Sequence, residues 1–62
     1  MIRIVVVEDN EVVRTSLVRL LSAQEDMEIV AQAADGLEAV HLLENKISTD
    51  IMLADLNMPI KG

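Results

Sequence analysis

Ile2-Arg3-Ile4-Val5-Val6-Val7 is β-branched at every position but Arg3. A nearly continuous run of this kind suits a strand buried on both faces, and such strands belong to parallel sheets flanked by helices. The run stops abruptly at four polar residues, Glu8-Asp9-Asn10-Glu11. A second apolar run, Ile51-Met52-Leu53-Ala54, also ends in acid, at Asp55, and Leu56-Asn57-Met58-Pro59 follows as a Pro-marked turn. In an open α/β sheet, ligands sit at the carboxyl ends of the strands. Two strands that release carboxylates at one edge would make a cation site there.

The chain between these runs alternates in type. Asn10 is a reasonable N-cap. After it Val13, Leu17, Leu20 and Leu21 fall at helical spacing, with Arg14, Thr15, Arg19 and Ser22 on other faces. That pattern predicts an amphipathic helix of about three turns with its apolar stripe inward. Gln24-Glu25-Asp26 breaks the pattern as a loop. Met27 to Ala34 reads as a shorter, more polar strand at a sheet edge, with Ile29, Ala31 and Ala33 on one face. Asp35-Gly36-Leu37-Glu38 resembles a capping box. A second helix should run from about Leu37 to Asn45, with Val40, Leu43 and Ile47 inward. Ser48-Thr49-Asp50 reads as a loop before the last strand. The order is therefore strand, helix, strand, helix, strand, and crossovers of this length demand parallel strands joined right-handedly.

At 62 residues the chain makes at most one small domain, burying only about 60% of the surface its unfolded form exposes. Folds this small lean on disulfides, a metal or oligomerisation. With no Cys and 52% apolar residues, none of them aromatic, the expectation is a metal, a partner, or both. Eleven acids against five bases give a net charge of −6. That balance argues against nucleic-acid binding by this segment. The first apolar stretch is too brief for a secretion signal or a membrane span, so a soluble cytoplasmic chain is expected.

Taken singly, Glu8-Asp9 is a solvated acidic turn at a helix start, and Asp55 is a turn former before Pro59. If the first and third strands are neighbours, Glu8, Asp9 and Asp55 crowd one pocket. Carboxylates that close destabilise one another unless a cation neutralises them, and oxygen-only ligation suits Mg²⁺. No Gly-rich loop follows the first strand, which disfavours a dinucleotide fingerprint or a P-loop. Asp9-Asn10-Glu11 lacks the Asp-x-Asp of an aspartate-nucleophile phosphatase, and the same acids would repel a flavin phosphate. His41 reads as a surface or partly buried helix residue, Met27 and Met52 as packing residues, and Glu25, Asp26 and Glu28 as a solvated loop.

Val5-Val6-Val7-Glu8-Asp9-Asn10, Ala33-Ala34-Asp35-Gly36-Leu37-Glu38-Ala39 and Asp50-Ile51-Met52-Leu53-Ala54-Asp55-Leu56-Asn57-Met58-Pro59 together resemble the receiver domain of bacterial two-component response regulators. The likeness runs over the whole chain, and the Ala-Ala-Asp-Gly stretch is most similar to regulators with a helix-turn-helix DNA-binding output half. The resemblance implies that Asp55 is the phosphoacceptor, taking a phosphoryl group from the phosphohistidine of a sensor histidine kinase. It implies that Asp9, Asp55 and the backbone carbonyl of Asn57 ligate Mg²⁺, with Glu8 close by, holding metal-bound water. Such a module accepts a phosphoryl group and assists its own phosphorylation and dephosphorylation; it is not a classical enzyme.

The fold implied is α/β, a flavodoxin-like doubly wound parallel sheet, here β1-α1-β2-α2-β3 with strand order 2-1-3 and one helix on each face. A whole receiver has five strands, with a Ser or Thr after the fourth and a Lys after the fifth. Lys46 and Lys61 do not match that Lys, and the aromatic switch residue has no counterpart. Residues 1–62 are thus expected to be the N-terminal half of a receiver, impaired in phosphorylation by itself. The alternative is a structural fragment that self-associates through the exposed edge of the third strand, and a homodimer is expected through that strand or through the helix faces left uncovered.

Overall fold

The computed structural model describes residues 1–54. Three strands and two helices alternate: β1 (Ile2–Val7), α1 (Glu11–Ser22), β2 (Met27–Ala33), α2 (Gly36–Glu44) and β3 (Ile51–Ala54). The sheet is parallel throughout and its order is β2-β1-β3. The crossovers demand parallel strands, and the observed order makes this the truncated flavodoxin-like arrangement that the resemblance implies. No helix among the described residues is long and apolar enough to cross a membrane.

The central strand holds the core. Ile4, Val5, Val6 and Val7 are all buried, and Val6 is fully so. Successive strand residues point to opposite faces. Val5 and Val7 join Ala33 and Ala39 in one cluster, with Leu42, Ile47 and Met52 packed against it, so this is the α2 side. Ile4 and Val6 point the other way, toward the side where α1 lies on β1 and β2.

Both helices are capped as their sequences predict. Asn10 accepts the Val13 N–H at 3.1 Å, and Asp35 accepts the Glu38 N–H at 2.8 Å. The Glu38 carboxylate reaches back to the Ala34 N–H at 3.0 Å, one residue beyond the usual capping-box partner. At the far end of α2, Lys46 N–H donates to the Leu43 carbonyl and Ile47 N–H to the Leu42 carbonyl. Those two bonds define a Schellman motif, and they put Lys46 at φ 60°, the left-handed conformation glycine usually fills.

Two details of packing differ from the periodicity. In β2 the register with β1 slips between Ile4 and Val5: Ile4 pairs with Ile29, but Val5 pairs with Ala31. Val30 is the extra residue. Ile29 therefore faces the α1 side, and Ala31 and Ala33 face the α2 side, so the three do not share a face. In α2 the inward stripe is Ala39 and Leu42, with Ile47 beyond the helix end, while Val40 and Leu43 are exposed. In α1, Leu17 and Leu21 are half-buried, but Val13 and Leu20 are exposed. The helices lie chiefly over β2 and β1, which leaves only a narrow stripe of each helix facing the sheet.

Candidate functional site

Parallel pairing brings the carboxyl ends of all three strands to one edge. Val7 pairs with Ala33 on one side and with Ala54 on the other. The residues next along the chain are Glu8 after Val7, Ala34-Asp35 after Ala33, and Asp55 after Ala54. Neighbouring strands lie about 4.8 Å apart, so the acidic turn after β1 and the end of β3 are adjacent. Asp55, Asn57 and the Met58-Pro59 turn lie outside the described residues.

Glu8 is the most constrained member. It is buried, 5% exposed, and its N–H donates to the Ala33 carbonyl at 3.0 Å, extending the ladder past the end of β1. One of its carboxylate oxygens accepts the Asn10 N–H at 2.9 Å. A buried carboxylate is costly unless hydrogen bonds or a cation compensate it. Arg14, one turn into α1, donates from Nη1 to the Glu8 carbonyl at 2.8 Å. Its guanidinium thus fastens the start of α1 to the turn from the carbonyl side. Asp9 is exposed, so this turn holds one buried and one solvent-facing carboxylate side by side. The N-terminus of α1, the positive end of its dipole, stands directly behind them.

Asp35 reaches the same edge from β2 but spends its carboxylate on capping α2. It is not part of the acidic pair. No group of three or more His, Cys, Asp or Glu side chains converges among the described residues. Glu8 and Asp9 supply two oxygen donors, and oxygen-only donors suit a hard divalent cation such as Mg²⁺. The donor set therefore fits that class of ion.

The opposite edge of the sheet holds a cluster that sequence patterning did not suggest. The Asp50 carboxylate accepts the backbone N–H of Arg3 at 2.9 Å, and pairs with the Arg3 guanidinium, whose Nε stands 3.4 Å away. Asp50 N–H returns a bond to the Arg3 carbonyl at 2.8 Å, and the Thr49 hydroxyl donates to the same carbonyl at 3.1 Å. Ser48 accepts from Arg3 Nη1. The Arg3 backbone N–H and then its guanidinium hold the Asp50 carboxyl below its ordinary pKa. Arg14 was legible only as an exposed helix residue; its position one turn past the Asn10 cap is the signal that it could fold back on the turn.

The family model described as the response regulator receiver domain matches residues 4–62. Curated relatives include the oxygen regulatory protein NreC of Staphylococcus epidermidis, of Staphylococcus haemolyticus and of Staphylococcus aureus. Each is 48% identical over 58 residues, which is 92% of this chain and 26% of the relative. The chain thus spans about a quarter of the length of the curated relatives it matches. No solved structure matches significantly. With the family match covering all but its first three residues, this chain belongs to the response regulator receiver domain family.

Proposed function

We propose that residues 1–62 form the acidic half of a receiver's phosphoacceptor pocket, with Asp55 as the acceptor in a two-component system. An Asp55 carboxylate oxygen attacks the phosphorus of a phosphohistidine on a sensor histidine kinase. The P–N bond breaks, and its electron pair returns to the imidazole, leaving an acyl phosphate on Asp55. Asp9, Asp55 and the Asn57 carbonyl, with Glu8 alongside, would hold Mg²⁺, which would supply the charge neutralisation that attack by a carboxylate on a phosphoryl group requires. The chain's own residues do the positioning. The Val7–Ala54 pairing sets Glu8-Asp9 beside the strand that leads into Asp55, and Arg14 and the Asn10 N–H brace the acidic turn.

The parallel β1–β3 register is the observation that supports this reading, because it sets the acidic turn after β1 beside the end of the strand that precedes Asp55 in sequence. Acid-quenched labelling by acetyl phosphate tests it, run with and without Mg²⁺ beside Asp55→Asn. Metal-dependent label that Asp55→Asn abolishes is the expected outcome. Absence of label in a sample that is folded by circular dichroism would mean that residues 1–62 alone do not suffice for acceptor chemistry and act as a scaffold. A second reading, self-association through β3, is favoured by the exposure of Ile51 and Leu53 on that strand.

A further inference from the structure

Asp9 stands between two residues whose backbones are fastened by a third. Arg14 is half-buried, and its guanidinium Nη1 donates to the Glu8 carbonyl at 2.8 Å. Its backbone N–H donates to the Asn10 carbonyl, also at 2.8 Å. Between them the Asn10 N–H donates to the Glu8 carboxylate at 2.9 Å, and the Asn10 side chain is spent on the Val13 N–H. None of these bonds uses the Asp9 carboxylate, which belongs to an exposed residue beside buried Glu8. The turn is thus fixed on both sides of the one acid that faces solvent.

We propose that Arg14 is a positioning residue for the divalent cation, holding the Glu8–Asp9 peptide so that the Asp9 carboxylate is presented from a turn already in order. The proposal rests on the reading of the acidic turn as a cation site. A peptide unit is planar, with its N–H opposite its C=O. Fastening the Glu8 carbonyl to α1 therefore sets the plane from which the Asp9 backbone departs. A donor held in its binding geometry before the ion arrives spares the cost of ordering it on binding, and groups that orient a metal ligand contribute to affinity without touching the metal. Charge and bond act in opposite directions here. A guanidinium near the turn repels a cation and sits near the positive end of the α1 dipole, so by charge alone Arg14 works against the site. Only its bond to Glu8 works in favour. Substitution removes that bond and leaves the backbone bond to Asn10, which any residue but proline supplies.

Mg²⁺ titrated into the isotopically labelled chain at constant ionic strength, read from the amide shifts of Glu8, Asp9 and Asn10, gives a dissociation constant without any phosphoryl chemistry. Asp9→Asn is expected to abolish the saturable shift. Arg14→Gln is expected to raise the dissociation constant about tenfold, the scale on which losing a group that orients a metal ligand acts, with its circular dichroism spectrum unchanged. The sign separates the explanations. If Arg14 mattered only as a charge, neutralising it would tighten Mg²⁺ binding. If it only anchored α1, a folded variant would bind as the native chain does. Either result overturns the proposal. Arg14→Lys keeps the charge on a shorter, unforked side chain, and its affinity is expected to lie between those of Arg14→Gln and the native chain. If Arg14→Gln fails to fold, Arg14→Lys decides, and native or tighter affinity in it overturns the proposal. A native chain whose shifts do not respond to Mg²⁺ refutes the cation reading itself, whereas native binding that Arg14→Gln leaves intact refutes the positioning role alone.

Discussion

Asp50 shows how much a single exposed side chain can organise. Its carboxylate meets the Arg3 backbone N–H and guanidinium, and both favour the charged form. A carboxyl whose pKa is lower folded than unfolded adds stability above its unfolded value. That contribution is fully present above about pH 4, the ordinary aspartate value, and is lost as pH falls through the lowered folded value. Solvent screens the pair, since both side chains are 45% exposed, so the effect is small. Thermal melts of the native chain and Asp50→Asn should differ at neutral pH and converge in acid. Parallel melting curves at all pH values would show that this carboxylate contributes no pH-dependent stability.

Residue identity made some of this visible in advance and hid the rest. The acidic turn, the Asn10 and Asp35 caps and the three strands follow from local chemistry, and each stands where that chemistry puts it. The Arg3–Asp50 cluster joins residues 47 apart, and no local pattern announces such a pair. Asp50 is to the sequence simply one more loop acid.

At the scale of elements, periodicity located the helices and strands but misjudged which faces they bury. Val30 is one residue too many for the ladder, and parity reverses on either side of it. No sequence signal distinguishes Ile29-Val30-Ala31 from a regular strand. The stripe of α2 that meets the sheet contains Ala39, a small residue that lets helix and sheet approach, whereas counting large apolar residues points to Val40 and Leu43. The same helix offers two stabilising changes. Lys46 occupies the left-handed position after the helix, which costs a non-glycine residue about 1 kcal/mol. Gly36 opens the helix without a positive φ, and a Cβ there meets nothing within 4 Å. Lys46→Gly should add about 1 kcal/mol and Gly36→Ala about 0.5 kcal/mol, read from urea midpoints at unchanged slope. A loss of stability in Lys46→Gly would mean that the lysine side chain contributes more than the backbone conformation costs.

At the scale of the whole molecule, one buried strand supports everything else. β1 pairs on both sides, supplies the buried core of both faces and ends in the acidic turn. Its two neighbours are joined to it differently. β2 follows after a single helix and shares α1 and α2 with the sheet. β3 arrives from far along the chain, pairs with β1 from Ile51 to Ala54, and is also tied at its entry, where Arg3 meets Ser48, Thr49 and Asp50. The loop closed between β1 and β3 is roughly twice as long as that between β1 and β2, which adds only about 0.6 kcal/mol of closure entropy.

The Arg3 cluster adds to the ladder at the entry to β3, so removing it should favour partial opening there. Backbone hydrogen exchange reports the free energy of such openings segment by segment. The amides of β3 should exchange ahead of those of β1, and Arg3→Ala should speed β3 severalfold while leaving the β1–β2 pair protected. Equal rates in all three strands would mean that the sheet opens only as one unit. On the peeling account, the strand that leads into Asp55 can detach and redock while the acidic turn stays folded, so the two halves of the site would keep separate clocks.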